Sequence, residues 1–83
     1  MIKILYFASL RERIDTDAEQ MELPAKATID GIMEILRVRS DAWADAFNDN
    51  NQILAAINQE MANTKESIKD GDEIAFFPPV TGG

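Results

Sequence analysis

The stretch that decides the fold is residues 70–83, Asp70-Gly71-Asp72-Glu73-Ile74-Ala75-Phe76-Phe77-Pro78-Pro79-Val80-Thr81-Gly82-Gly83. Asp-Gly is a strong turn signal, and the apolar run from Glu73 to Phe77 predicts a strand after it. That strand must stop at Pro78-Pro79, because proline has no N–H to donate to a neighbouring strand. The six residues beyond Phe77 span roughly 20 Å when extended. We therefore predict a folded body over residues 1–77 and an extended tail over residues 78–83.

The first half of the chain predicts two strands and one main helix. Residues 2–8 are β-branched and aromatic and predict a first strand, followed by a short helical turn with Ser9 as its cap. Residues 18–23 predict a weaker second strand that ends at Pro24. Thr28 is the predicted N-cap of the main helix, whose apolar residues recur at helical spacing: Ile29, Ile32, Met33 and Leu36.

The second half predicts a short helix and three further strands. Ser40-Asp41 begins the short helix, in which Trp43 and Phe47 are interpreted as packing residues. Residues 48–51 predict a polar loop and residues 52–57 a strand; Asn58-Gln59 then predicts a turn into a short strand around Met61. The fold class is therefore α+β, a mixed sheet of about four to five strands with the main helix on one face. We expect the first and last strands to lie side by side in its centre.

Alternation along the strands predicts an apolar surface on the sheet. Lys3, Leu5 and Phe7 share one side of the first strand, and lysine favours water, so the opposite side is predicted to meet the helix. Phe77 on the last strand and Met61 are predicted on the same solvent side as Phe7. A patch formed by these three residues indicates a docking surface. The alternative is that loops or the Trp43 region cover the patch as ordinary core.

Composition excludes several classes of function. The 83 residues include no cysteine and no histidine, so disulfides, thiolate nucleophiles, classical zinc sites and Ser-His or Cys-His catalysis are excluded. The net charge of −7 argues against nucleic acid or an anionic membrane as partner. No apolar run approaches the roughly 20 residues of a membrane span, and no leader pattern is present, so we expect a cytoplasmic protein.

Acidic residues also occur in pairs, and these are interpreted as turn residues and solvated charges rather than acid/base or metal sites. The pairs are Asp15 with Asp17, and Asp70 with Asp72-Glu73.

The tail ends in Gly82-Gly83, which have no side chains, so another protein can enclose this backbone in a narrow channel. The terminal carboxylate is ionised at neutral pH and is a poor electrophile. Joining it to AMP supplies a leaving group and makes attack by a sulfur donor feasible. The resulting thiocarboxylate is a soft nucleophile that can deliver sulfur to an electrophilic carbon. This chemistry needs no catalytic side chain on the carrier.

Three segments of the chain resemble the small-subunit family of molybdopterin synthase, which are ubiquitin-like β-grasp sulfur carriers. They are residues 2–12, residues 55–59 (Ala-Ala-Ile-Asn-Gln) and the ending at residues 70–83. The resemblance implies that an adenylating enzyme uses ATP and Mg²⁺ to activate Gly83 and that a sulfur donor converts it to 1-thioglycine. The carrier would then donate sulfur to cyclic pyranopterin monophosphate in the large subunit. Gln59 departs from relatives that have Gly there, which leaves the turn type open.

The same resemblance implies roles for further residues. Pro78, Pro79, Val80, Thr81 and Gly82 would enter the channel of the large subunit with Gly83. Phe7, Arg11, Met61 and Phe77 match partner-binding positions. The catalytic side chains would belong to the large subunit, in a heterotetramer of two small and two large subunits, and this chain would bind no metal or cofactor itself.

Two other functions remain open on the sequence. One keeps the chemistry and changes the target, as a thiamine-type sulfur carrier or a modifier attached to protein lysines. The other is a non-catalytic, ubiquitin-like interaction module, for which deletion of Gly82-Gly83 would leave function intact.

Overall fold

The computed structural model describes residues 1–48 and 52–79. These contain five strands and three helices: β1 Ile2–Tyr6, α1 Ala8–Ile14, β2 Ala18–Met21, α2 Ile29–Arg37, α3 Asp41–Ala46, β3 Leu54–Ile57, β4 Glu60–Ala62 and β5 Glu73–Phe77. Most of the predicted polar loop, residues 49–51, lies outside the described residues, and so does the end of the predicted tail, residues 80–83. None of the three helices is long and apolar enough to cross a membrane.

The strands form one mixed sheet in the order β2-β1-β5-β3-β4. β1 and β5 pair in parallel, with Ile4 opposite Ile74, and the other neighbours are antiparallel. A parallel pair needs a long crossover, and the chain between β1 and β5 includes α2. The predicted adjacency of the first and last strands is confirmed, and β5 lies in the middle of the sheet.

Helix α2 forms where its local signals place it. The Oγ of Thr28 accepts a hydrogen bond from the N–H of Gly31 at 3.0 Å, which satisfies one of the free donors at the helix start. Asp30 lies in the first turn, where the helix dipole favours a negative charge. The apolar stripe of α2 is buried against the sheet: Ile29, Ile32, Met33 and Leu36. The predicted main helix is confirmed.

The core fills the space between the helices and the inner face of the sheet. Ile2, Ile4 and Tyr6 on β1 are at most 1% exposed, so the predicted inner side of that strand is confirmed. Four aromatic rings pack together beneath α2 and α3, those of Tyr6, Trp43, Phe47 and Phe76. The interpretation of Trp43 and Phe47 as packing residues is confirmed. The short helix begins at Ser40-Asp41 as predicted, and Ser40 Oγ accepts a hydrogen bond from the N–H of Trp43 at 3.5 Å.

Several predicted boundaries differ from the structure. The first strand ends at Tyr6 rather than at residue 8, and β3 begins at Leu54 rather than at residue 52. Ser9 is not a helix cap: Phe7 occupies the N-cap position without a side-chain bond, and Ser9 lies inside α1. The chain turns early because Ala8 has a φ of 55° and because Leu10, in the first turn, is buried in the core. The second strand ends at Met21 rather than at residue 23, since Met21 already pairs with Ile2 near the start of the chain.

Candidate functional site

The side of the sheet that faces away from α2, here called the outer face, is the first candidate site. Its residues follow from the register: Leu5 lies opposite Ala75, Ala75 opposite Ala56, and Ala56 opposite Met61. Leu54 lies opposite Phe77 in the next row. Phe7 follows β1 on the same side as Leu5. The outer face therefore carries apolar residues across four strands.

This apolar surface is partly open to solvent. Met61 is 63% exposed and Phe7 is 44% exposed, while Leu5, Leu54 and Phe77 are half-buried. Large exposed apolar side chains that cluster on one surface are typical of interaction sites. The structure therefore brings Phe7, Met61 and Phe77 to the predicted side of the sheet.

The outer face reaches the base of the tail. The N–H of Phe7 donates to the carbonyl oxygen of Phe76 at 3.2 Å, which holds Phe7 beside the end of β5. Phe77 is the last residue of β5, and Pro78 follows it directly. A protein that receives the tail must therefore come close to the outer face.

A cleft of about 230 Å³ lies where the tail leaves the body. Pro78 and Pro79 line one side of it and are half-buried. The remaining walls come from α1 and from the segment before β3: Ser9, Leu10, Arg13, Gln52 and Ile53. Of the predicted channel residues, Val80, Thr81 and Gly82 lie outside the described residues, as does the predicted reactive residue Gly83.

Arg11 has a different environment from the other predicted partner-binding residues. Its backbone N–H donates to the carbonyl oxygen of Phe7 at 3.3 Å, within the first turn of α1. Its exposed side chain borders a depression whose other residues include Glu12, Asp15 and Asp17. Arg11 therefore lies near Phe7 along the chain but faces acidic neighbours.

Tyr6 and Glu19, on the inner side of the sheet, have shifted pKa values. The Tyr6 hydroxyl donates to Glu19 Oε2 at 2.8 Å, and burial, followed by this bond, raises the pKa of Tyr6. Arg39 donates two bonds of 2.7 Å to the carboxylate of Glu19, and this guanidinium lowers the pKa of Glu19. Because each group is matched to a partner, the cluster fastens edge strand β2 to the helical layer and leaves no free acid or base.

The pKa of Asp72 is also shifted, and the interpretation of this residue as a solvated charge is wrong. Its side chain is buried, and it accepts bonds from the N–H of Lys69 at 2.9 Å and from Asn58 Nδ2 at 3.0 Å. The Lys69 N–H, followed by Asn58, lowers the pKa of Asp72. The sequence analysis missed this network because Asn58 lies 14 residues away in the chain.

Acidic residues do not form a metal site within the described part of the chain. Residues 1–48 and 52–79 contain no cluster of three or more acidic residues placed to hold a metal ion. The candidate functional elements are therefore the outer face and the tail that begins beside it.

Comparisons with known proteins show the family of this chain. The model of the ThiS family matches residues 4–83. The molybdopterin synthase sulfur carrier subunit of Escherichia coli (strain K12) is 43% identical to this chain over 83 residues, with full coverage of both proteins. The subunit of the same name from Haemophilus influenzae is 46% identical over 83 residues, again with full coverage.

Solved structures show the same fold. SAMP1 from Haloferax volcanii superposes with a TM-score of 0.77 at 29% identity, covering 99% of this chain and 98% of its own. One chain of a Helicobacter pylori complex of subunits 1 and 2 of molybdopterin-converting factor superposes with a TM-score of 0.67 at 19% identity. The superposition covers 99% of this chain and 97% of that chain. The α+β, ubiquitin-like β-grasp fold is confirmed. This chain belongs to the ThiS family and, within it, to the molybdopterin synthase sulfur carrier subunits.

Proposed function

We propose that this protein is the sulfur carrier subunit of a cytoplasmic molybdopterin synthase and that Gly83 carries the sulfur. The observation that carries the proposal is the arrangement at the end of β5. A central strand runs out of the sheet beside an exposed apolar face and continues into a tail that ends in two glycines. The described body contributes a fold and a surface, while the reactive group is a chain end.

The chemistry follows from the terminal carboxylate. An adenylating enzyme uses ATP and Mg²⁺: a carboxylate oxygen of Gly83 attacks the α-phosphorus, and pyrophosphate leaves. The donor then supplies sulfide-level sulfur as HS⁻, which attacks the acyl carbon; the bond to AMP breaks, and the thiocarboxylate of 1-thioglycine remains. In the large subunit the thiocarboxylate sulfur attacks an electrophilic carbon of cyclic pyranopterin monophosphate and displaces an oxygen substituent, which gives a thioester. Water then attacks the thioester carbonyl, so the sulfur stays on the pterin and the carrier leaves with its carboxylate restored. The product, molybdopterin, carries a dithiolene group with two sulfurs, so each product molecule requires two such deliveries.

The outer face and the tail divide the work of binding. Phe7, Met61 and Phe77 supply apolar contact area to the large subunit, with Arg11 at the margin as a charged contact. Residues 78–83 enter the active site of the large subunit, which supplies the catalytic side chains. Pro78 and Pro79 restrict the start of the tail and so reduce the entropy lost on insertion. We expect two carriers on a dimer of large subunits.

Intact mass spectrometry of protein made with and without the adenylating partner tests the proposal. We expect one terminal oxygen to be exchanged for sulfur only when the partner and a sulfur donor are present. Deletion of Gly83 should abolish the exchange, and an alanine added after Gly83 should abolish cofactor synthesis. A wild-type mass that never changes, or a full activity of the untrimmed alanine-extended variant, would contradict it.

A second candidate, attachment to protein lysines, is favoured by the likeness to SAMP1, since a solved homologue of that name is described as a small archaeal modifier protein. It predicts isopeptide conjugates of Gly83 in cells that contain the activating enzyme. A thiamine-type carrier is compatible with the ThiS match. The relatives at 43% and 46% identity favour the molybdopterin role over both.

A further inference from the structure

The centre of the outer face is built from small residues. Across four neighbouring strands the register gives the row Leu5, Ala75, Ala56 and Met61. Neighbouring strands are about 4.8 Å apart, so Leu5 and Met61 are separated by roughly 14 Å. Only the two alanine methyl groups occupy the sheet between them. We call this place the alanine hollow, defined by Ala56 and Ala75.

Larger side chains surround the hollow. Phe77 and Leu54 lie opposite each other in the next row towards the tail. Lys3 and Glu73 form the row on the other side. The hollow therefore has an apolar rim on three sides and a charged rim on the fourth. Ala56 is only 7% exposed although no helix of the described residues, 1–48 and 52–79, packs over this side of the sheet, so the larger side chains around it recess the floor.

We infer that the alanine hollow receives one bulky apolar side chain of the large subunit. This inference rests on the proposed function, because it names the partner as the protein that encloses the tail. Phe77 belongs to the rim of the hollow and directly precedes the tail. Since six extended residues span at most roughly 20 Å, a protein that encloses Gly83 must lie within that distance of Phe77.

The chemistry of the floor selects the occupant. Strands β3 and β5 each have neighbours on both sides, so their backbone donors and acceptors are used within the sheet. A polar side chain placed on the two methyl groups would lose its water without gaining a hydrogen bond. An apolar side chain would gain contact with the floor and with Leu5, Met61 and Phe77. Such a central, water-free contact is where binding energy concentrates in interfaces.

The hollow can be filled from this side by mutation. Ala75→Leu places a larger group in the hollow, while Ala75→Val adds a smaller one that suits a strand. The side chain of Ala75 points away from the core, so neither change overpacks the interior. Ala18→Leu is the matched control, because Ala18 lies opposite Leu5 in the same row but on edge strand β2, beyond the hollow.

The experiment measures affinity for the large subunit by calorimetry, with the thermal unfolding of each carrier variant as a check on its fold. We expect Ala75→Leu to weaken binding about tenfold or more, Ala75→Val to weaken it less, and Ala18→Leu to bind as the wild type does. Sulfur loading by the adenylating partner, measured by mass, is recorded separately for every variant.

Wild-type affinity of folded Ala75→Leu would overturn the inference, and so would equal losses in Ala75→Leu and Ala18→Leu. If Ala75→Leu does not fold, the Ala75→Val result decides in the same way. Failure of the proposed function has a different signature: the wild-type carrier itself would show no binding to the large subunit or no sulfur loading.

Discussion

Gly31 and Lys26 approach each other so closely that a Cβ added to Gly31 would lie 1.9 Å from the carbonyl oxygen of Lys26. The contact brings the loop before α2 directly onto the helix backbone. Gly31 also donates its N–H to the capping oxygen of Thr28 at 3.0 Å. A glycine inside a helix is unfavourable in itself, and the close packing of this loop explains why one is found here.

We therefore predict that Gly31→Ala destabilises the protein, although alanine is the better helix former by about 1 kcal/mol. The new methyl group must push away a backbone carbonyl, and we expect a net loss of about 1–3 kcal/mol in the free energy of unfolding, measured by chemical denaturation. Ala42→Gly, at an exposed position of α3, measures the ordinary loss in the free energy of unfolding that glycine causes in a helix of this protein. A Gly31→Ala variant more stable than the wild type would show that the loop moves freely.

In the turn between β3 and β4 we predict, by contrast, that introducing a glycine at position 59 stabilises the protein. Asn58 and Gln59 both have positive φ, 50° and 72°, and they form a two-residue hairpin loop between Ile57 and Glu60. Positive φ at both central residues is typical of a type I′ turn. The turn type, which the presence of Gln59 left open on the sequence, is therefore I′. Left-handed backbone is strained for glutamine and free for glycine.

We predict that Gln59→Gly raises the free energy of unfolding by about 0.5–1 kcal/mol, measured by denaturation. Asn58→Gly should lower it, because the Asn58 side chain donates to Asp72 at 3.0 Å and accepts from the N–H of Glu73 at 3.0 Å. The two glycine variants change the same turn, so backbone relief and loss of side-chain bonds can be separated. A loss of stability in Gln59→Gly would contradict the strain argument.

The Glu19–Arg39 pair predicts a dependence of stability on pH. Because the pKa of Glu19 is lower in the folded protein than its ordinary value of 4.5, the unfolded chain binds a proton more readily. The stabilisation is therefore present above pH 4.5 and is lost as the pH falls through the folded pKa. We expect Glu19→Gln to be less stable than the wild type at pH 7 and the difference to shrink in acid, measured by denaturation at both pH values.

Arg39→Gln serves as the second arm of that experiment. It removes the two bonds of 2.7 Å to Glu19, so it should lose the same pH-dependent part of the stability. The free energies of unfolding of the wild type and of Glu19→Gln are compared at both pH values. If their difference is the same at pH 7 and in acid, the guanidinium does not favour the ionised carboxylate.

The parts of the fold that the sequence predicts well are those with local signals. Thr28 and the apolar stripe of α2, or the Asp-Gly turn and the prolines around β5, are each contained in a few neighbouring residues. Strand parity likewise predicts the side of the sheet on which Phe7 and Phe77 lie. The role proposed for Gly83 rests on the chemistry of a terminal carboxylate together with the family resemblance.

Features that depend on contacts between residues far apart in the chain could not be predicted from the sequence. The early end of β1 depends on how α1 packs, and the burial of Asp72 depends on Asn58 from another hairpin. The alanine hollow requires the register of Ala56 against Ala75, which a shift of one residue would destroy. Alternation assigns a side chain to a face but does not say which side chain of the next strand lies beside it.

The exposed apolar residues on the two sides of the sheet allow a charge-matched test of docking. Met61 on β4 is 63% exposed on the outer face, and Val38 at the end of α2 is 83% exposed on the helical side. Met61→Glu and Val38→Glu each add one negative charge to a chain of net charge −7, so effects of overall charge on association are equal.

We predict that Met61→Glu weakens binding to the large subunit about tenfold or more, because a carboxylate is buried without a partner, and that Val38→Glu has no effect. Calorimetric titration of both variants into the same large subunit measures this. Equal affinities would place the docking surface elsewhere on the body, while a selective loss in Val38→Glu would move it to the helical side.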